Sequence, residues 1–169
     1  FQSHLSIVFP GYMKLFQDGY SPISLQLLEM YPHPDRLKNK QPETVAKKLN
    51  KHTDHSFEVC LKNAKRVIEF ANKTYPGCDK EDPWVAVLVE DIHQLQAMIE
   101  QAEAKLDKII KLAKTTPYYF IILSIDGIGP NLASRIIVEF GDISKFKTRG
   151  AMAAYVGNDP NRAESGDID

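Results

Sequence analysis

The chain has 169 residues, 43% hydrophobic and 25% charged, with a formal net charge of -1 at pH 7. That length can bury one core or two small ones, and the near-zero balance excludes a uniformly basic nucleic-acid binder. Two cysteines, Cys60 and Cys78, make neither a disulfide framework nor a metal-ligand spacing, so a reducing cytoplasm is the expected location. The longest apolar run, at 118–125, is too short to span a bilayer, and no membrane partner is expected. No charged-then-apolar leader opens the chain; it starts at Phe1 rather than Met and stops amid polar residues at Asp169, and so reads as a fragment of a longer protein.

Apolar residues in the first sixteen positions come in two short groups broken by Pro10-Gly11. Ser21-Pro22 then reads as a cap and a first-turn proline for a helix carrying Ile23, Leu27, Leu28 and Tyr31, stopped at Pro32. His33-Pro34 and Gln41-Pro42 punctuate the next stretch, with a short helix at 43–50. Another helix, capped by Ser56, carries Val59, Ala64, Val67, Ile68 and Ala71 toward Pro76-Gly77. The stretch 36–66 is rich in lysine and arginine, which fits either a nucleic-acid face or a solvated helical surface. His52, Asp54, His55 and Cys60 lie close in sequence but match no ligand spacing, so no metal site is expected there.

Beyond a linker at 77–83 comes the clearest periodicity: Val85, Leu88, Ile92, Leu95, Ile99, Ala102, Leu106, Ile109 and Ala113, alternately three and four residues apart. No glycine or proline interrupts 84–116, so this is one long helix with a narrow apolar seam of coiled-coil type. Such a seam wants a partner helix. A second copy of the chain, paired through 84–114, would supply one; so would the helix at 56–74 folding back.

The most informative stretch is YYFIILSIDGIGPNLASRIIVEFG, at 118–141. An apolar segment enters a turn at Gly127-Ile128-Gly129, and Pro130 opens a second helix with Leu132, Ala133, Ile136, Ile137 and Phe140 at helical spacing. Glycines at 127 and 129 admit unusual backbone conformations and let a ligand reach the main chain, while Ile128 can turn inward as a plug. Amides of the turn and the positive end of the second helix would then face outward together, an arrangement that binds phosphate. Charge agrees: 79–107 is predominantly acidic, whereas 108–149 is predominantly basic. Behind the hairpin come a short segment at 142–146, a helix at 149–155 capped by Thr148 and closed by Gly157, and a polar tail reaching Ser165-Gly166.

The stretch 118–141 resembles the helix-hairpin-helix module, which grips the sugar-phosphate backbone of DNA without reading bases. On that resemblance the DNA-contacting residues are Gly127, Ile128, Gly129, Asn131 and Arg135, with Lys145, Lys147 and Arg149 beside them. The longer segment SIDGIGPNLASRIIVEFGDISKFKTRGAMAAYVGNDPNRAESG is similar to the C-terminal domain of the DEDD-type insertion-sequence transposases, the IS one-ten family. The order Gly-Ile-Gly-Pro, Glu-x-Gly-Asp-Ile then Phe, Ala-Ala-Tyr-x-Gly, Pro and Ser-Gly is shared, and 8–10 and 27–32 resemble that family's middle segment more loosely. Val156 in place of alanine, Asn158 in place of an apolar residue, and the acidic 167–169 depart from the pattern.

The resemblance implies a transposase that moves an insertion sequence by DNA strand exchange. It implies an N-terminal RuvC-like nuclease domain, lying before Phe1, whose four acidic residues hold magnesium; no cofactor is expected in this fragment itself. It also implies a structured guide RNA as partner of the full-length parent and, at the motif's serine position, Ser165 as the catalytic nucleophile. The architecture expected is all-α: a helical linker region at 1–77, a coiled-coil helix at 78–116, and a helix-hairpin-helix transposase domain at 117–169, truncated at its C-terminus. Two other functions stay open on the residues alone, a non-catalytic structure-specific DNA-binding module and a structural coiled-coil dimerisation module. The fragment by itself is expected to bind without cutting.

Overall fold

Prolines open α2 (Pro22–Met30), α3 (Pro42–Asn50), α5 (Pro83–Ala113) and α7 (Pro130–Phe140). At the first helical position a missing N–H costs nothing and the fixed φ is already helical. The remaining helices are α1 (Gln2–Val8), α4 (Phe57–Lys73), α6 (Tyr119–Leu123) and α8 (Arg149–Tyr155), with 3₁₀ turns at Tyr12–Leu15, Pro34–Arg36 and Ile143–Lys145. These come from a computed structural model that describes residues 1–157; among the described residues there is no strand, and the fold is all-α.

Side-chain caps agree with the sequence in two places and depart from it in a third. Ser56 accepts from the Val59 amide at the head of α4, and Thr148 accepts from the Ala151 amide at the head of α8. Ser21 occupies the cap position of α2 but bonds no helix amide; its Oγ donates 2.7 Å back to the Asp18 carbonyl, closing the turn ahead of the helix. The expected cap is thus replaced by a turn, and Pro22 alone marks the helix start.

Two compact units divide the chain, Phe1–Gln101 and Ala102 onward, with the division inside α5. In the first, Val8, Phe9, Tyr12, Leu27, Leu28, Leu37 and Leu49 are almost fully buried. Each such aliphatic side chain contributes about 1.5–3 kcal/mol relative to exposure. Tyr12 keeps its hydroxyl satisfied by donating 2.8 Å to the Ser24 carbonyl, and burial pushes its phenol well above the ordinary range.

His33 is wholly buried, yet both ring nitrogens are used. Its Nδ1 accepts from the Asp35 amide at 3.2 Å, which leaves Nε2–H to donate 3.1 Å to the Cys78 carbonyl. A residue that reads in sequence as mere punctuation before Pro34 therefore staples the segment ahead of α5 to the core. Gly77 serves the same junction: its amide donates 2.7 Å to the Ile7 carbonyl, and a Cβ there would stand 3.0 Å from that oxygen.

The first half of α5 belongs to this core. Val85, Leu88 and Ile92 are buried in the same cluster as Cys60, Ala64 and Val67 of α4, so the chain itself covers the seam at these heights. Polar ties run to α1, where His4 Nδ1 lies 2.6 Å from Asp91 Oδ2, and to α2, where Glu29 accepts from Gln96 at 3.0 Å. Trp84 lays its ring against His4, centroids 5.2 Å apart. Farther along, Leu95, Ile99, Leu106 and Ile109 are only half-buried and Ala102 is exposed.

The second unit has a smaller core made of Ala113, Tyr119, Ile122, Ala133 and Ile137. Only part of the apolar run at 118–125 goes inside: Phe120, Ile121 and Ile125 are exposed. The reason is the length of α6, a helix of five residues that presents one narrow face to α7.

Candidate nucleic-acid interface

The turn between α6 and α7 is built from one glycine in the left-handed region and one in ordinary extended backbone. Gly127 sits at φ +84°, in the left-handed region that costs other residues about 1–2 kcal/mol. Gly129, the N-cap of α7, has an ordinary extended backbone (φ -87°, ψ 174°), and a Cβ added there would meet nothing within 4 Å among the described residues. The motif suggests for both glycines a conformation closed to other residues; the geometry assigns that need to Gly127 alone. Nothing among the described residues asks for glycine at 129.

Between them Ile128 packs half-buried on the small core, and its amide closes the turn on the Ile125 carbonyl at 3.0 Å. Ala133 and Ser134 are fully buried beneath, with Ser134 Oγ donating 2.8 Å to the Pro130 carbonyl. The amides of Gly129, Asn131 and Leu132 carry no bond to the main chain among the described residues, as expected at a helix start. They stand at the positive end of an eleven-residue helix. Asn131 and Arg135, one turn apart on α7, are exposed.

One cation beyond α7, Lys145, is held by a small aromatic cluster. Phe140, Phe146 and Tyr155 pack edge-on or tilted with centroids 5.2–6.0 Å apart, and Lys145 Nζ lies 5.0 Å from the Phe146 ring and 4.9 Å from that of Tyr155. Tyr155 also donates 3.1 Å to the Glu139 carbonyl at the end of α7, joining α8 to the hairpin helix. Asp142 turns its carboxylate onto Ser144, whose hydroxyl first and amide second hold the Asp142 pKa below the usual range. It thereby caps the turn that carries Lys145. Lys147 and Arg149 are exposed, and none of Arg135, Lys145, Lys147 or Arg149 is in a salt bridge among the described residues.

The seat of Lys145 escapes sequence reasoning. Phe146 adjoins it and gives a partial signal, but the return of Tyr155 onto the same ammonium depends on α8 folding back. Ser165 lies outside the described residues. No group of three or more His, Cys, Asp or Glu side chains that could hold a metal occurs among those described. Cys60 is buried and Cys78 partly so, both as free thiols. No helix of the described chain is long and apolar enough to cross a membrane.

Residues 120–169 match the model of the Transposase IS116/IS110/IS902 family. Over 88 residues the chain is 36% identical to the "Mini-circle putative transposase for IS117" of Streptomyces coelicolor. That alignment takes in 46% of this chain and 21% of the relative, so the chain matches about a fifth of the relative's length. No solved structure matches it.

Proposed function

We propose that this chain is the DNA-gripping part of a transposase that moves an insertion sequence by strand exchange, with 127–130 acting as a helix-hairpin-helix. The observation that carries the reading is Gly129. Its backbone is extended and no described residue fills the space where a side chain would stand, so glycine there serves an approach from outside. A phosphate seated on the free amides at the start of α7 is the ligand whose chemistry fits. Arg135, Lys147 and Arg149 extend the contact along a backbone, and Lys145, anchored over its two rings, offers a fixed positive charge.

A backbone-dominated interface releases counterions, so log affinity for unrelated duplexes should fall with log salt, at about -0.9 per phosphate contacted. Fluorescence anisotropy on two duplexes of unrelated sequence is expected to give the same slope, steeper than about -2, for both. Sequence-selective binding insensitive to salt would sink the reading. A non-catalytic DNA-binding module shares the interface and parts from the transposase at the chemistry.

For that chemistry the reading assigns Ser165, by its motif position inside the matched segment, as the nucleophile of the whole protein. A serine hydroxyl is weak at neutral pH and needs a base or a metal to activate it. The magnesium that the family resemblance implies is proposed to be held by the acidic residues of a RuvC-like nuclease domain in the longer protein. A guide RNA is the partner proposed for that longer protein, and a reducing compartment suits its free thiols.

The stretch of α5 from Leu95 to Ile109 is proposed to pair with a second copy as a coiled coil, because the chain's own core leaves it half-covered. Replacing Leu95 and Ile99 by aspartate would put unpaired carboxylates into such a seam. Sedimentation velocity is expected to show a wild-type dimer and a monomeric double variant. A wild-type chain that stays monomeric at high concentration would refute the pairing.

A further inference from the structure

The first unit carries a charged surface that the hairpin does not explain. Two adjoining hollows, about 420 and 410 Å³, meet over Met30 and Tyr31 at the end of α2. Lys48, Lys51 and His52 flank one; Arg36, Lys38 and Lys40 flank the other. Of the carboxylates lining the pair, Asp35 is engaged by Lys38 at 2.6 Å, which holds its pKa low, and Glu81 lines the second hollow beside Lys80. Lys40, Lys48 and Lys51 are exposed and have no acidic partner among the described residues.

Lysines near a helix C-terminus commonly serve the helix itself, and the C-terminal end of α3 presents roughly half a negative charge. Lys47, Lys48 and Lys51 crowd that end, far more charge than it can use. On the opposite face Val45, Ala46 and Leu49 fix the helix into the core, so these cations are held outward by the fold.

We infer that this double hollow is a second nucleic-acid site, one that takes the phosphodiester backbone and is independent of the hairpin at 127–130. An open trough lined by separate, flexible cations suits a polyanion with regularly repeated charges better than one small anion, which needs an enclosed pocket. Tyr31 is buried and its ring offers no free face for a base to stack on. The contact is therefore with the backbone and indifferent to sequence. The same chain matches a transposase-family model over residues 120–169, so a nucleic-acid backbone is a polyanion it meets. Phosphates of DNA and of RNA present the same chemistry here.

The test uses the 169-residue chain and fluorescein-labelled duplexes of about 30 base pairs, a length covering several phosphate contacts, one DNA and one RNA of the same sequence. Changing Lys48 and Lys51 to glutamine should flatten the log–log salt slope by about 1.8 and weaken binding at low salt on the order of ten-fold, uniformly across sequences. Thermal melting should not move, since both side chains are exposed. A loss with only one of the two duplexes identifies the source of the phosphates and still supports the site. An unchanged slope with both overturns it, as does a variant that loses polyglutamate binding while holding nucleic acid normally. Gly129→Leu separates the two proposals: a chain disabled by Gly129→Leu but indifferent to the lysine changes keeps the hairpin reading and loses this one. The converse result keeps this site and loses the hairpin.

Discussion

Changing Ser165 to alanine in the longer transposase is expected to abolish strand transfer, lowering it at least about a thousand-fold, the scale on which removing a covalent nucleophile acts. In the proposed chemistry Oγ attacks phosphorus, an ester to the serine forms, and a sugar hydroxyl leaves with its proton. Without Oγ no protein–DNA adduct can accumulate. DNA binding and the melting temperature should hold, because the cores of both units are built from residues far earlier in the chain. Adduct trapping on a denaturing gel reads the outcome directly. An alanine variant that recombines DNA at the wild-type rate would return the chemistry to the upstream carboxylates and their metal ions.

Separating the two hairpin glycines should give opposite phenotypes. Gly127→Ala forces an L-residue to φ +84° and should destabilise the second unit by about 1–2 kcal/mol, lowering its melting point by several degrees. Gly129→Leu meets open space and ordinary backbone, so the melting curve should overlay the wild type. Its branched side chain would stand between the α7 amides and an incoming phosphate, and duplex affinity should fall about ten-fold or more, the order of one to two lost charge-assisted hydrogen bonds. Full binding by a folded Gly129→Leu chain would mean that no backbone reaches this turn.

Much of this architecture is legible in local chemistry. Proline at the first helical position announces α2 and α7, whereas Pro42 and Pro83, which read as punctuation and linker, are the first residues of α3 and α5; the 3-4 spacing from Val85 to Ala113 announces a helix of unusual length. Periodicity says which residues share a face, not what covers that face at each height. Hence the seam of α5 reads as uniform in sequence, yet it is buried at Val85, Leu88 and Ile92 and half-covered from Leu95 to Ile109. Bonds across long sequence separations leave no local trace: the His33 ring meets a carbonyl 45 residues away. At the candidate site, spacing flags Gly127 and Gly129 alike. Only the dihedral angles divide one glycine required by the turn from one the turn could spare. The cradle of Lys145 is hidden because it needs Tyr155 brought back by a whole helix.

The contact of Trp84 with His4 has a spectroscopic consequence. Trp84 is the sole tryptophan of the chain and lies in the first unit, its indole beside the His4 ring. The second unit carries tyrosines, Tyr118, Tyr119 and Tyr155, but no indole among its described residues. Emission excited at the red edge of the tyrosine band therefore reports the first unit alone, while helical ellipticity sums over both. Melting tracked by the two signals would coincide if the units unfold together, and would part if the hairpin domain opens while the proline-punctuated bundle stays intact.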